Sequence, residues 1–336
     1  MNAPTLTIVV PCYNEEEILP QTIHKLSQLL DSLCIEKKIS SKSKVLFIDD
    51  GSKDSTWTII NKACLHLDRV AGLKLSRNAG HQHALLAGMF AANEGSDCII
   101  SIDADLQDDI TVIHEFIDNY QKGYEIVYGV RKKRETDTLF KRKSAEWFYK
   151  LMKKLGVELI YNHADYRLMS NRAVQELKGF EEANLFLRGI VPLIGFKSAK
   201  VYYDRKERLA GETKYPLSKM LSFAFDGITS FSVTPIRLVL SMGLITFIVS
   251  LLFSVYCLTM KYLGRTQSGW TSLIASIWLI GGLQMIATGL VGEYIGKVYK
   301  ETKRRPKYIV EIDLFNLPIQ KNNLIQEEDY RYELRK

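Results

Sequence analysis

Cysteine and histidine are scarce: the 336 residues hold five of the first and six of the second. Cys12, Cys34, Cys64, Cys98 and Cys257 have no paired or metal-type spacing. That excludes a disulfide framework and a zinc site, and it predicts reduced packing thiols in a reducing compartment. The "HQH" of His81 to His83 does not complete a zinc set either. The N-terminus, "MNAPTLTIVVPCYNEEE", lacks the basic start and long apolar core of a signal peptide, so the first ~235 residues are expected in the cytosol. Charge is missing from two long runs. Leu238 to Met260, "LVLSMGLITFIVSLLFSVYCLTM", has none, and Leu273 to Val291, "LIASIWLIGGLQMIATGLV", has only Gln284 as a strongly polar residue. As helices they would extend ~34 Å and ~28 Å against a hydrocarbon core of roughly 30 Å. Both are predicted membrane spans.

Positive charge is plentiful, with a formal net charge of +7, and much of it flanks these runs. Lys214, Lys219 and Arg237 precede the first; Lys297, Lys300, Lys303, Arg304, Arg305 and Lys307 follow the second; Lys261 and Arg265 alone lie between. The positive-inside rule puts both outer flanks in the cytoplasm. Two stretches outside the runs read as amphipathic helices on an anionic membrane: Leu139 to Gly156, "LFKRKSAEWFYKLMKKLG", and Pro216 to Val233.

Before the runs, strand-like and helix-like segments alternate. Leu6–Val10, Lys44–Asp49, Val70–Leu75, Cys98–Asp103 and Glu125–Val130 are short and rich in β-branched residues. Ile18–Leu33, Ser55–His66, His81–Asn93 and Thr111–Lys122 have helix length. This order predicts an α/β, Rossmann-like fold with a mostly parallel sheet, whose ligands bind beyond the carboxyl ends of the strands.

Polar loops follow those ends: "PCYNEEE", "DDGSKDST", "SRNAGHQHA" and "DADLQDD". Four such loops at successive strand ends describe a nucleotide site with a divalent cation. Two carboxylates two residues apart offer hard oxygens to Mg2+ or Mn2+, which bind substrate phosphates as well as protein. The metal would join Asp105, with Asp103 and Gln107, to a diphosphate. Gly51 and Gly80 permit tight turns near the ligand. The "GSKDST" turn is expected to cap its helix through Asp54 or Ser55.

"VVPCYNEEE", "FIDDGSKDST", "SRNAGHQHALLAG" and "SIDADLQD", in this order, resemble the family 2 glycosyltransferases of GT-A fold. The resemblance implies that Pro11, Tyr13 and Glu15 border the nucleobase and ribose, with Asp49 and Asp50 near the base. It implies Asp103 and Asp105 as the D-x-D motif, with Asp105 and Gln107 nearest the metal, and places Arg77, Asn78 and Gly80 among the nucleotide-sugar contacts. "FLRGIVPLIGFKSAKVYYDRKERLAGETKYPLSKML" before two spans resembles the polyprenyl-phosphate branch, which includes dolichyl-phosphate mannose synthases and bacterial undecaprenyl-phosphate glucosyltransferases. "NLFLRG" stands where processive synthases carry Q-x-x-R-W, which favours transfer of a single sugar.

These readings imply residues 1–215 as a cytosolic GT-A domain, 216–236 as a juxtamembrane amphipathic helix, 237–296 as a two-helix transmembrane region and 297–336 as a cytosolic tail. The stretch from Tyr308 onward is given no role. The departing diphosphate needs cations besides the metal, and the candidates are Arg131, Arg134, Arg205 and Lys214. Arg131 and Arg205 are taken as catalytic, and Arg134 as a nucleotide-sugar contact. The nucleophile would be the lipid phosphate, already mostly dianionic at neutral pH, so direct attack inverts the anomeric carbon. Asp165 in "NHADYRLM" matches a position proposed as catalytic base in relatives; with an ionised nucleophile it is expected to orient, so Asp165→Asn should be milder than Asp165→Ala. The expected partners are a nucleotide-sugar (UDP favoured over GDP), a polyprenyl phosphate and the lipid bilayer, with no nucleic acid. Relatives of this branch can assemble as tetramers, which leaves a homo-oligomer open. Localisation is expected at the bacterial cytoplasmic membrane, with the catalytic domain and both termini inside. A membrane-associated nucleotidyltransferase or a non-catalytic nucleotide-sugar-binding scaffold are the alternatives.

Overall fold

A computed structural model describes residues 3–132, 163–182, 186–204 and 269–316, with scattered positions between 236 and 263. Both predicted interfacial helices, Arg134, Arg205 and Lys214 lie outside the described residues.

The alternation expected from the sequence is present. The order is β1 (Leu6–Cys12), α1 (Leu19–Ile35), β2 (Lys44–Asp49), α2 (Thr56–His66), β3 (Val70–Leu75), α3 (His81–Ala92), β4 (Cys98–Ser101), α4 (Ile113–Gln121) and β5 (Ile126–Arg131). Then come β6 (His163–Ser170), α5 (Asn171–Leu177), α6 (Leu187–Leu193), β7 (Ser198–Tyr203), α7 (Trp270–Thr302) and β8 (Val310–Asp313). Among the described residues the strands form one sheet, β7-β5-β6-β4-β1-β2-β3-β8. β4, β1, β2 and β3 are mutually parallel, so their polar loops share one rim. β1 and β4 are buried along their whole lengths, as strands covered by helices on both faces should be. Leu19, Leu26, Leu30 and Leu33 of α1 pack with Leu6, Ile8, Val10 and Phe47 into one core.

β6 and β8 are the antiparallel members. β6 lies between β4 and β5 and carries Asp165 and Arg167 beside the end of β4. β8 gives a place to part of the stretch from Tyr308 onward, which the sequence left unassigned. It pairs with β3, the Ser76 amide donates to the Ile309 carbonyl at 3.0 Å, and Lys74 meets Glu311 at 3.0 Å. The post-run segment therefore supports the start of the third polar loop. A chain ending near Val233 would lose it. Such a truncation should weaken nucleotide binding and lower the Tm by several degrees, at about 2–4 °C per kcal/mol for a domain of this size; binding and Tm equal to those of the full chain would refute the role given to β8.

The chain divides into two compact units. Residues 1–145, 159–214 and 305–336 form the first; residues 146–158 and 215–304 form the second. The first unit thus supplies the chain on both sides of the 215–304 segment. Among the described residues no helix is long and apolar enough to cross a membrane, so the two predicted spans find no support there; several positions of both runs lie outside those residues. α7 is one continuous helix of 33 residues through the second run. Ile277, Met285, Ile286, Ile295 and Val298 on it are each more than 60% exposed.

Candidate active site

The rim is built by loops that fasten one another. After β1, Asn14 and Glu16 lock onto the loop after β2: the Asn14 amide donates to Ser52 Oγ (3.0 Å) and the Lys53 amide to Asn14 Oδ1 (2.9 Å). The Glu16 amide donates to Asp54 Oδ2 (3.2 Å), and the Ser55 amide to Glu16 Oε2 (3.0 Å). Ser55 is the N-cap of α2 by position, but the carboxylate of Asp54 receives the Thr56 amide at 3.0 Å. The Glu15 amide donates to Thr56 Oγ1 at 2.9 Å. Pro11 is buried at the end of β1, and Tyr13 stands 42% exposed beside it.

Asp49 and Asp50, adjacent in sequence, do different work. Asp50 receives the amides of Ala79 (2.7 Å) and Gly80 (2.9 Å) on its two oxygens and so holds the third loop. Asp49 is fully buried; Oδ1 receives the Ser52 amide at 3.2 Å, whereas Oδ2 has no partner. Burial raises the pKa of both, against their hydrogen bonds. An orphaned buried acceptor costs stability unless a ligand donor meets it. Gly51, at φ 67°, lets the second loop touch the third: a Cβ there would lie 2.5 Å from the Asn78 nitrogen. Gly51→Ala should therefore cost about 1–3 kcal/mol of strain and weaken nucleotide binding, a result to check by thermal melting and titration calorimetry; unchanged binding would contradict the packing. Arg77 and Asn78 are exposed on this loop, and Gly80 (φ 95°) is the N-cap of α3.

The D-x-D turn follows β4. Leu106 is buried at φ 50°, a conformation uncommon for a non-glycine residue and often kept at functional turns. It lets the Gln107 amide reach Asp105 Oδ1 at 3.2 Å. Gln107 is itself buried. His81 Nε2 lies 3.5 Å from Asp103 Oδ1, and 39% of the Asp103 side chain is exposed. Packing around its carboxyl pushes the Asp103 pKa up to about 6; His81 opposes the shift, and Asp108, Asp165 and Asp105 add to it. Negative charge is thus in excess at this turn. Among the described residues no group of three or more His, Cys, Asp or Glu could hold a metal by itself. The carboxylates of Asp103 and Asp105 are hard oxygen donors of the kind a divalent cation takes together with substrate phosphate, and its charge would offset that excess.

Arginines face the carboxylates. Asp165, on β6, bonds Arg167 Nη2 at 2.6 Å and Arg188 Nη2 at 3.1 Å, with Arg188 Nε at 3.4 Å. Burial would raise its pKa, but Arg188, Arg167 and His81 outweigh burial and hold the carboxyl well below the usual range. Arg167 is 1% exposed, whereas Arg188 keeps 39% of its side chain open. The Leu187 amide donates to Gln82 Oε1 at 3.1 Å, so the middle residue of "HQH" seats the helix that carries Arg188. Sequence reasoning missed Arg188; its only signal is the "FLRG" in place of Q-x-x-R-W. Arg131, at the end of β5, is 21% exposed and bonds Asp108 at 3.1 Å.

Residues 7–178 match the family described as Glycosyl transferase family 2. The chain belongs to that family. It is a glycosyltransferase, and its four rim loops are the stretches that carried the resemblance. It is 59% identical over 313 residues to YkoT of Bacillus subtilis (strain 168), an uncharacterized glycosyltransferase, with 93% of each chain covered. It is 41% identical to a prophage bactoprenol glucosyl transferase homolog of Escherichia coli (strain K12), covering 91% of this chain and 98% of that one. The bactoprenol glucosyl transferase of Shigella phage SfV is 40% identical over the same shares.

Proposed function

We propose that this glycosyltransferase moves one sugar from a nucleotide-sugar, with UDP favoured over GDP, to a polyprenyl phosphate at a membrane surface, inverting the anomeric carbon. The observation that carries the reading is a strand-end rim where Asp103, beside Asp105, feels two buried carboxylates, Asp108 and Asp165, each of which holds an arginine, Arg131 and Arg188. Two relatives about 40% identical over 91% of the chain bear the name bactoprenol glucosyl transferase, or a homolog of it, which supports a polyprenyl acceptor and glucose as the first sugar to try.

A divalent cation, Mg2+ or Mn2+, held by Asp105 with Asp103 and Gln107 near it, would supply positive charge to the departing diphosphate. Tyr13, 42% exposed just after β1, offers its ring to a base, while Asp49 stays buried beneath the rim. Arg188 and Arg131 bind phosphate oxygens and stabilise charge as the bond to the diphosphate breaks. Asp165, held ionised by two arginines, aims Arg188 and takes no proton. The acceptor phosphate needs none removed, being dianionic above its second pKa near ~6. Arg205 as a catalytic cation and Arg134 as a nucleotide-sugar contact belong to the same reading; both lie outside the described residues.

The membrane part of the reading rests on topology and exposed apolar surface. The first unit holds both flanks of the 215–304 segment, so any crossings between them are even in number; two spans satisfy this. Leu244, Ile245, Ile248, Val249 and Leu252 of the first run are exposed, as are the α7 side chains of the second, an apolar surface that water would penalise and lipid would cover. The domains proposed are those read from the sequence, with residues from Arg305 rejoining the catalytic domain, which faces the cytosol with both termini at the cytoplasmic membrane. Assembly into a homo-oligomer, a tetramer as in relatives, belongs to the same reading. Membranes containing the protein, incubated with labelled UDP- and GDP-sugars and polyprenyl phosphate, should move one label into extractable lipid. Release of pyrophosphate from a nucleoside triphosphate instead would favour a nucleotidyltransferase.

A further inference from the structure

The D-x-D stretch contains one aspartate that no ligand can easily reach. Asp103, Asp105 and Asp109 are partly exposed, but Asp108 is 2% exposed. Its Oδ1 receives the Tyr203 hydroxyl at 2.6 Å and Arg131 Nη2 at 3.1 Å, and Arg131 Nε donates to the Tyr203 oxygen at 3.3 Å. The three side chains close a triangle from three elements: the turn after β4, the last residue of β5 and the last residue of β7. Tyr166 braces it, with its ring edge-on to Tyr203 at 5.4 Å and its hydroxyl donating to the Asp109 carbonyl at 3.1 Å. Gly129 makes room, since a Cβ there would sit 2.9 Å from the Tyr166 carbonyl and 3.1 Å from the Tyr203 ring. A buried carboxylate is costly to keep, and an apolar residue of similar size would pack as well. What it supplies here is a fixed direction for a guanidinium, which stabilises a charge-separating transition state better than a mobile one.

We propose that Asp108 and Tyr203 are positioning residues that clamp Arg131 against the turn carrying Asp103 and Asp105, so that arginine and carboxylate turn act on the same phosphate group. The inference rests on the transferase reading above. If Asp108 acts through Arg131, its removal matters only while Arg131 is present.

The test is a double-mutant cycle on the full chain in membranes, reading kcat and KM for sugar transfer to polyprenyl phosphate. Arg131→Ala should lower kcat by about 10²–10³-fold, the loss typical of one transition-state donor, and Asp108→Asn by roughly tenfold or more. The double variant should be no slower than Arg131→Ala within about threefold, since coupled sites do not add. Guanidinium ion at millimolar concentration should restore part of the rate to Arg131→Ala but not to the double variant, which lacks the carboxylate that would seat it. Should Asp108→Asn fail to fold, Tyr203→Phe removes a single hydroxyl, and its loss of severalfold should vanish in the Arg131→Ala background. Equal fold-losses in both backgrounds, or equal guanidinium rescue with and without Asp108, would overturn the clamp while leaving the function intact. A wild-type protein that transfers no sugar to the lipid would overturn the function, and the clamp with it.

Discussion

Asp105→Asn should reduce sugar transfer to background while leaving the fold intact, and excess chelator should do the same to the wild type. The asparagine keeps the shape of the turn, including an oxygen for the Gln107 amide, but removes a charged ligand from a cation that would neutralise a departing diphosphate. Losing such stabilisation typically costs 10²-fold or more in rate, and losing the metal costs further. The proton on Asp103 makes this dependence pH-sensitive. Its pKa is pushed up to about 6 by desolvation and by the neighbouring carboxylates, so it is ionised at neutral pH and takes up a proton at a higher pH than a free aspartate does. Cation and proton compete for that oxygen, and cation affinity should therefore fall as pH drops through about 6. Circular dichroism and Tm would establish that the variant is folded. Full turnover in excess chelator would contradict the assignment.

Loss of Asp165 should be nearly as severe, and the structure changes the expected form of the result. Asparagine is not the mild replacement expected from the sequence, because Arg167 is 1% exposed and depends on Asp165 for its counter-charge. Breaking a buried pair from one side costs about 3–5 kcal/mol, so Asp165→Asn and Asp165→Ala should both lose stability and most activity. The pH profile then separates orientation from proton removal. The pKa of Asp165 is depressed, so the pair contributes its stability above the unfolded value of about 3.9 and loses it only as pH falls through the lower folded value. Between pH 5 and 9 no step in rate should come from it. A wild-type rate rising through a single ionisation that is absent from the asparagine variant would make Asp165 the base.

Much of the α/β frame was legible because buried parallel strands write themselves as short β-branched runs. Lys44–Asp49 and Val70–Leu75 match β2 and β3 at both ends, and α2 and α3 begin or end within one residue of expectation. β6 was not legible. "HADYRLMS" places Asp165 and Arg167 inside the sheet, where their mutual pairing, not their polarity, decides their position. β8 reads "VEID", half charged, because it is an edge strand whose outward side chains meet water and Lys74. Within the site, the carboxylates announced themselves by crowding. The division of labour between Asp49 and Asp50, or between Asp105 and Asp108, did not, since it depends on which way each carboxyl points. Arg188 was invisible for the same reason: its partner, Asp165, is 23 residues away in sequence and on another element.

The measurement that bears most directly on the central claim is the mass of the lipid product. Purified full-length protein would be incubated with UDP-glucose, Mg2+ or Mn2+, and undecaprenyl phosphate, beside the Asp105→Asn variant, and the lipid extracted for mass spectrometry. The expected product is a polyprenyl monophosphate heavier by a single hexose, with UDP released in equal amount and no product from the variant. A product carrying a diphosphate or several sugars, or unchanged lipid across the whole panel of nucleotide-sugars, would contradict it.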